Sequence, residues 1–209
     1  MDLTGKITLV TGASRGLGSA VAEQFTSMGA HVIAVARTVG ALEELDDRIQ
    51  AAGGTATLAP LDITNEESIA GLCKSIFERW GGVDYWVHTA VHAAPLSPVP
   101  YMDSKDWDKS ITINMTATAR LIANIEPLLI AKSGVAIHCD DPREGHKFFG
   151  AYAASKAAQR SLYASWAKET QTAKINVKHF TPNPMPTATR ARFFPGEDRA
   201  PLALSLIHI

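Results

Sequence analysis

Ile7-Thr8-Leu9-Val10-Thr11-Gly12-Ala13-Ser14-Arg15-Gly16-Leu17-Gly18 runs from an apolar, β-rich pentapeptide straight into three glycines at intervals of four and two residues. A short apolar run that ends on a glycine predicts a buried strand. From Gly16 to Gly29, Leu17, Val21, Ala22 and Phe25 fall on one stripe, which predicts a helix. Between strand and helix the glycines have separate physical tasks. Gly12 permits a tight turn, Gly16 lets the backbone approach a pyrophosphate, and Gly18 lets the helix pack closely on the sheet. The helix N-terminus then offers unpaired N–H groups and a positive dipole end to phosphates. Ser14, Arg15 and Leu17 complete this candidate binding loop. The same residues also match Gly-x-Ser-x-Gly, the turn that carries a hydrolase nucleophile. That chemistry needs a later acid and then a histidine, and it leaves Gly18 without a task.

Outward from this loop the pattern repeats. His31–Ala36, Thr55–Leu61 and Val83–His88 read as further strands, with helices at Ala41–Ala52 and from Asn65 to the Gly81-Gly82 stop. Strands apolar on both faces, joined by short connections through helices, predict a parallel sheet covered on both sides. Farther on, Pro95, Pro98 and Pro100 mark a loop. Helices are expected at Trp107–Thr116, Ala117–Ile130 and Ala151–Thr170, and strands at Val135–Cys139 and Ile175–Phe180. Pro182, Pro184 and Pro186 argue against regular structure beyond. The fold class is α/β, a three-layer, doubly wound, Rossmann-like parallel sheet.

The 209 residues suit one domain with a sizeable core. Twenty Lys+Arg against 21 Asp+Glu, with both signs scattered, give a net charge of −1 and no support for a nucleic-acid or membrane-surface partner. No apolar run reaches the roughly 20 residues of a membrane span, and Met1–Lys6 does not read as a signal peptide. Cys73 and Cys139 lie far apart, which fits buried thiols in a reducing cytoplasm.

Tyr152 and Lys156 stand four apart in an expected helix, placing phenol and ammonium on one face. A neighbouring cation lowers a phenol's pKa, so that it can exchange a proton near neutral pH. With the glycine loop, Asp62 and Asn114, in this order and approximate spacing, the pair resembles the short-chain dehydrogenase/reductase family from Leu3 to Arg190. The resemblance implies an oxidoreductase that interconverts an alcohol and a carbonyl by hydride transfer. Tyr152 is then the acid/base, Lys156 lowers its pKa and holds the nicotinamide ribose, and Asn114 positions a proton-relay water. Asp62 contacts the adenine, Ala90 lines the cofactor cleft, and Thr187 grips the nicotinamide carboxamide. The family also implies a homodimer through the helices ending near Ile130 and Thr170.

Charge predicts which cofactor. No acid closes the second strand to bind a ribose 2′-OH; Arg37 stands there instead, and with Arg15 it suits the 2′-phosphate of NADP. Three departures from the family stand out. Val91 replaces a glycine in His88-Thr89-Ala90-Val91. Asn183 replaces the glycine after Pro182. No serine lies between Gly134 and Gly150, and Cys139 occupies the usual catalytic-serine spacing, thirteen residues before Tyr152. With a one-residue shift, Asp140 is the expected replacement, either as a neutral donor or as the cause of slow catalysis. A catalytically weak NADP-binding sensor or partner module is the rival reading. His88 and His92 are read as polar residues near the cleft, with no metal expected. The segment Leu204–Ile209 resembles the translation of a transposase-derived sequencing adapter. Residues 1–203 are thus expected to form the domain, lacking the family's seventh strand, and 204–209 an artefactual tail.

Overall fold

The computed structural model describes residues 1–202, so the expected tail at Leu204–Ile209 lies outside the described residues. Six strands form one parallel sheet: β1 (Ile7–Thr11), β2 (His31–Ala36), β3 (Thr55–Pro60), β4 (Tyr85–His88), β5 (Val135–Cys139) and β6 (Asn176–Phe180). Their spatial order is β3-β2-β1-β4-β5-β6. The order reverses direction between β1 and β4, and the crevice beyond their carboxyl ends is the ligand position of such sheets.

Alternation along each strand builds the two faces. Leu9, Ile33 and Val35 face the cluster formed with α3 (Glu66–Trp80), α5 (Ala117–Lys132) and α6 (Gly150–Glu169). Val10, Val32 and Ala34 face the opposite cluster, with α1 (Gly16–Ser27) and α2 (Val39–Ala51). All five residues of β1 are buried, as expected for a sheet covered on both sides. The caps explain where α3 begins and ends. Asn65 Oδ1 accepts from Ser68 N at 3.0 Å, and Gly81 closes the helix in the left-handed region at φ 72°.

Two stretches differ from the sequence-based expectation. The helices expected at Trp107–Thr116 and Ala117–Ile130 are one continuous helical run. Its first part, α4 (Ser104–Ser110), starts earlier because Asp103 caps the N–H groups of Lys105 and Asp106. Residues Ile111–Thr116 then wind as a π-helix before α5. The second difference is α7 (Ala188–Phe193), which follows the prolines that argued against regular structure. The prolines stop at 186, and Thr187 caps the new helix by accepting from Arg190 N at 3.2 Å.

Candidate active site

The loop from β1 into α1 is held against β4's exit by close backbone approach. A Cβ on Gly12 (φ +92°) would lie 2.5 Å from Ala90 N, and one on Gly18 only 2.1 Å from Gly12 O. Thr89 Oγ1 locks the same junction, donating to Thr11 O at 3.0 Å. Arg15, the residue before α1, makes no side-chain cap, and the helix's first turn holds no acid. Its N–H groups therefore face the crevice without an internal anion. Thr187 comes up opposite, its Cγ2 3.3 Å from where a Gly16 Cβ would stand.

A cleft of about 640 Å³ runs from this loop across the carboxyl ends of the strands. Every expected site residue lines it except Asn114, which lies fully buried behind it. Arg15, Arg37 and Asp62 stand at one end. Arg37 reaches Asp62 only at 3.9 Å through exposed side chains, a contact of small energetic weight that leaves the guanidinium available. Val91 lines the cleft and packs with the apolar cluster of Phe149, Tyr152 and Phe193 at the other end. The histidines do not converge. His88 bonds Thr11 and Thr118, whereas His92 pairs with Asp106 at 3.4 Å. Among the described residues no cluster of three or more His, Cys, Asp or Glu could hold a metal ion.

Around Tyr152 the structure corrects three expectations. First, the phenol's pKa is not lowered. Burial pushes it well above the ordinary tyrosine value, and the Asp141 carboxylate, accepting from the hydroxyl at 3.0 Å, pushes it further. Second, Asp141 rather than Asp140 faces the phenol. Asp140 is engaged elsewhere, accepting from Arg160 Nε at 2.6 Å and from Asp141 N at 2.9 Å. Cys139, at the expected serine spacing, packs its side chain in the cluster beneath α1 and α2, and burial raises its thiol to about 12. Third, Asn114, expected to position a relay water, is taken up by protein partners: its carbonyl accepts from Gln159 Nε2 at 3.0 Å and Thr118 Oγ1 at 2.9 Å. The Asn114 side chain clamps the loop after β4, accepting from His92 N at 2.7 Å and donating to His92 O at 2.9 Å.

Gln159 and Asp141 are the residues that sequence reasoning missed. Lys156 Nζ donates to Cys139 O at 2.9 Å and to Gln159 Oε1, and burial lowers its pKa to about 8. An ammonium only donates, so Gln159 must turn its oxygen toward Lys156 and its amide toward Asn114. His138 Nε2, 3.0 Å from the same oxygen, must then carry a proton. The available signal was positional. Tyr152, Lys156, Gln159 and Tyr163 recur at helical spacing on one buried stripe of α6, and a glutamine there needs polar partners.

The family model for short chain dehydrogenases matches residues 6–198, so the chain belongs to that family of oxidoreductases. It is 30% identical over 185 residues to a fatty acyl-CoA reductase of Acinetobacter baylyi, covering 84% of this chain and 61% of that protein. It is 34% identical over 200 residues to 3beta-hydroxysteroid dehydrogenase 1 of Eggerthella lenta, covering 92% and 76%. The chain thus spans about 60% of the length of the fatty acyl-CoA reductases it matches. A short chain dehydrogenase of Shigella flexneri 2a, solved as a complex with NADP, superposes with a TM-score of 0.89 at 30% identity, covering 96% of this chain and 86% of that one. NAD⁺-bound as well as NADP-bound structures occur among the matches.

Proposed function

We propose that this chain is an NADP(H)-dependent oxidoreductase that reduces a small molecule at a polarised double bond, an alcohol and a carbonyl being the pair the family resemblance implies. One observation carries the reading: a single cleft joins the glycine cradle and two arginines at one end to Tyr152 and Lys156 at the other. The cradle fits a dinucleotide, because the positions of Gly12 and Gly18 leave no room for a side chain and the N–H groups of α1 lie open beside them. Gly12, Ser14, Gly16, Leu17, Gly18 and Ala90 would hold its phosphates and rings, with Asp62 at the adenine, Lys156 at the ribose and Thr187 at the carboxamide. When bound, such a dinucleotide supplies a hydride. Tyr152 keeps its proton across the neutral range, directed at Asp141 until a substrate atom takes that place, while Asn114 and Gln159 fix the loop and the lysine around it. Tyr152→Phe should stop reduction of a carbonyl probe while the dinucleotide still binds.

The preference for NADP rests on Arg15 and Arg37. A charge-assisted contact contributes about 1.5–3 kcal/mol, or roughly ten- to a hundredfold in affinity. Arg37→Ala should therefore weaken NADPH by that factor and leave NADH nearly unchanged, read by titrating cofactor fluorescence. Equal wild-type affinity for both cofactors would contradict the assignment. The same reading takes residues 1–203 as one dinucleotide-binding domain. It includes a cytoplasmic setting, which two free, buried cysteines suit. It also includes a homodimer through the outer faces of α5 and α6, where Ile130 stands exposed; light scattering checks the mass. No helix of the described residues is long and apolar enough to cross a membrane.

A further inference from the structure

We propose that the electrophile taken by this cleft is a protonated imine, C=N–H⁺, rather than a neutral carbonyl. The proposal rests on the reading of Tyr152 and the dinucleotide cleft as the reacting centre, and it is carried by the carboxylate that stands there. Tyr152 donates its hydroxyl hydrogen to Asp141 Oδ2 at 3.0 Å. A substrate heteroatom within reach of the phenol is therefore also close to Oδ2. The other oxygen, Oδ1, lies 2.7 Å from Arg143 Nε. Asp141 thus accepts from the phenol at one oxygen and stands beside the Arg143 guanidinium at the other.

Such a group works against a carbonyl. It has no proton to give, and it repels the negative charge that gathers on oxygen as hydride arrives at carbon. A protonated imine reverses both terms, because its N–H⁺ supplies the donor and the opposite charge. Oδ2 meets the neutral Tyr152 hydroxyl, and the Arg143 nitrogen paired with Asp141 stands at the other oxygen. Lys156 is turned to Cys139 O and Gln159, Asp140 is held by Arg160, and Arg143 sits on the far oxygen. The walls are aromatic, with Phe193 4.8 Å and Phe149 6.4 Å from the Tyr152 ring between centroids. They already accept one planar cation, since the Arg143 guanidinium lies 5.8 Å from the Phe149 centroid and 5.7 Å from that of Phe194.

The step balances. The imine takes its proton from solvent before binding. Its carbon accepts a hydride from a reduced nicotinamide dinucleotide, forming a C–H bond. The C=N π pair becomes the nitrogen lone pair, leaving a secondary amine and the oxidised dinucleotide.

The test uses 3,4-dihydroisoquinoline against 1-tetralone as matched electrophiles with NADPH. It also measures binding of 1,2,3,4-tetrahydroisoquinolinium against 1-tetralol by calorimetry on the full chain saturated with NADP⁺. Turnover and binding should both favour the nitrogen compound by about tenfold or more. Asp141→Asn should erase that preference, and Asp141→Ser should shift it toward the ketone. NADPH titration of each variant establishes that the cleft remains folded. Equal handling of the two compounds, a preference untouched by Asp141→Asn, or no binding of either nitrogen compound overturns the proposal. If NADPH itself fails to bind the wild type, the oxidoreductase reading falls as well.

Discussion

Lowering the pH from 7 toward 4 should destabilise the folded chain steeply, and two buried imidazoles account for most of the slope. Burial and the nearby Lys156 ammonium hold both His88 and His138 near a pKa of about 3, against 6.5 for an ordinary histidine. The unfolded chain therefore takes up protons first. It binds more of them than the folded chain between about pH 6.5 and about 3, so stability falls throughout that window. Each histidine adds about 1.4 kcal/mol per pH unit once its unfolded counterpart is charged. Since a domain's whole stability is about 5–15 kcal/mol, two such groups bring unfolding near pH 4. Urea titrations at successive pH values, followed by tryptophan fluorescence, give the slope directly. His138→Gln should lower that slope by about one proton; a flat profile in the wild type would mean that these imidazoles are charged in the fold.

The second large effect is at Gly18. A methyl there would stand 2.1 Å from Gly12 O and 2.5 Å from Thr89 Oγ1. The threonine can rotate, but the carbonyl belongs to the loop backbone. Relief requires moving α1 off the sheet. Overpacking of this kind costs about 1–3 kcal/mol or more. Gly18→Ala should lower the melting temperature by several degrees and abolish dinucleotide binding, because the displaced helix N-terminus is the proposed phosphate site. Gly40→Ala is the control: apart from its chain neighbours and its own helix backbone, nothing lies within 4 Å of its added Cβ. Matching melting curves for the two variants would show that the cradle does not depend on close packing.

The fold was legible because it is written locally. β1, β2 and β5 show as apolar runs, and α1 and α3 as stripes closed by glycines. The parallel order follows from the helical crossovers. What failed was length. The thirteen-residue count back from Tyr152 assumes a particular loop between β5 and α6, and the structure brings Asp141, eleven residues back, to the phenol instead. A spacing cannot tell which of two adjacent aspartates turns inward; that depends on Arg160, from the middle of α6, reaching Asp140. The helix α7 was hidden because a short helix with one threonine cap offers little periodicity after a proline-rich stretch. Lys156's partners were only half readable: Gln159 lies one turn along its own helix, whereas Cys139 O reaches it from the end of β5.

The π-helical turn at Ile111–Thr116 makes chain length, more than residue identity, the quantity that selection or engineering must respect there. Six residues wound in this wider turn present the Asn114 carbonyl to Thr118 and Gln159. Deleting one residue would let the stretch relax into ordinary α-helix with its flanks nearly in place, since six residues of this wide turn rotate about as far as five of an α-helix, and the Asn114 carbonyl would return to the helix's own i→i+4 ladder. The glutamine amide would then lose the Asn114 carbonyl and keep Thr118 Oγ1 as acceptor. Point substitutions at the exposed positions of this turn should be absorbed, whereas a one-codon deletion should free Gln159 from Asn114 while leaving every named side chain in the gene.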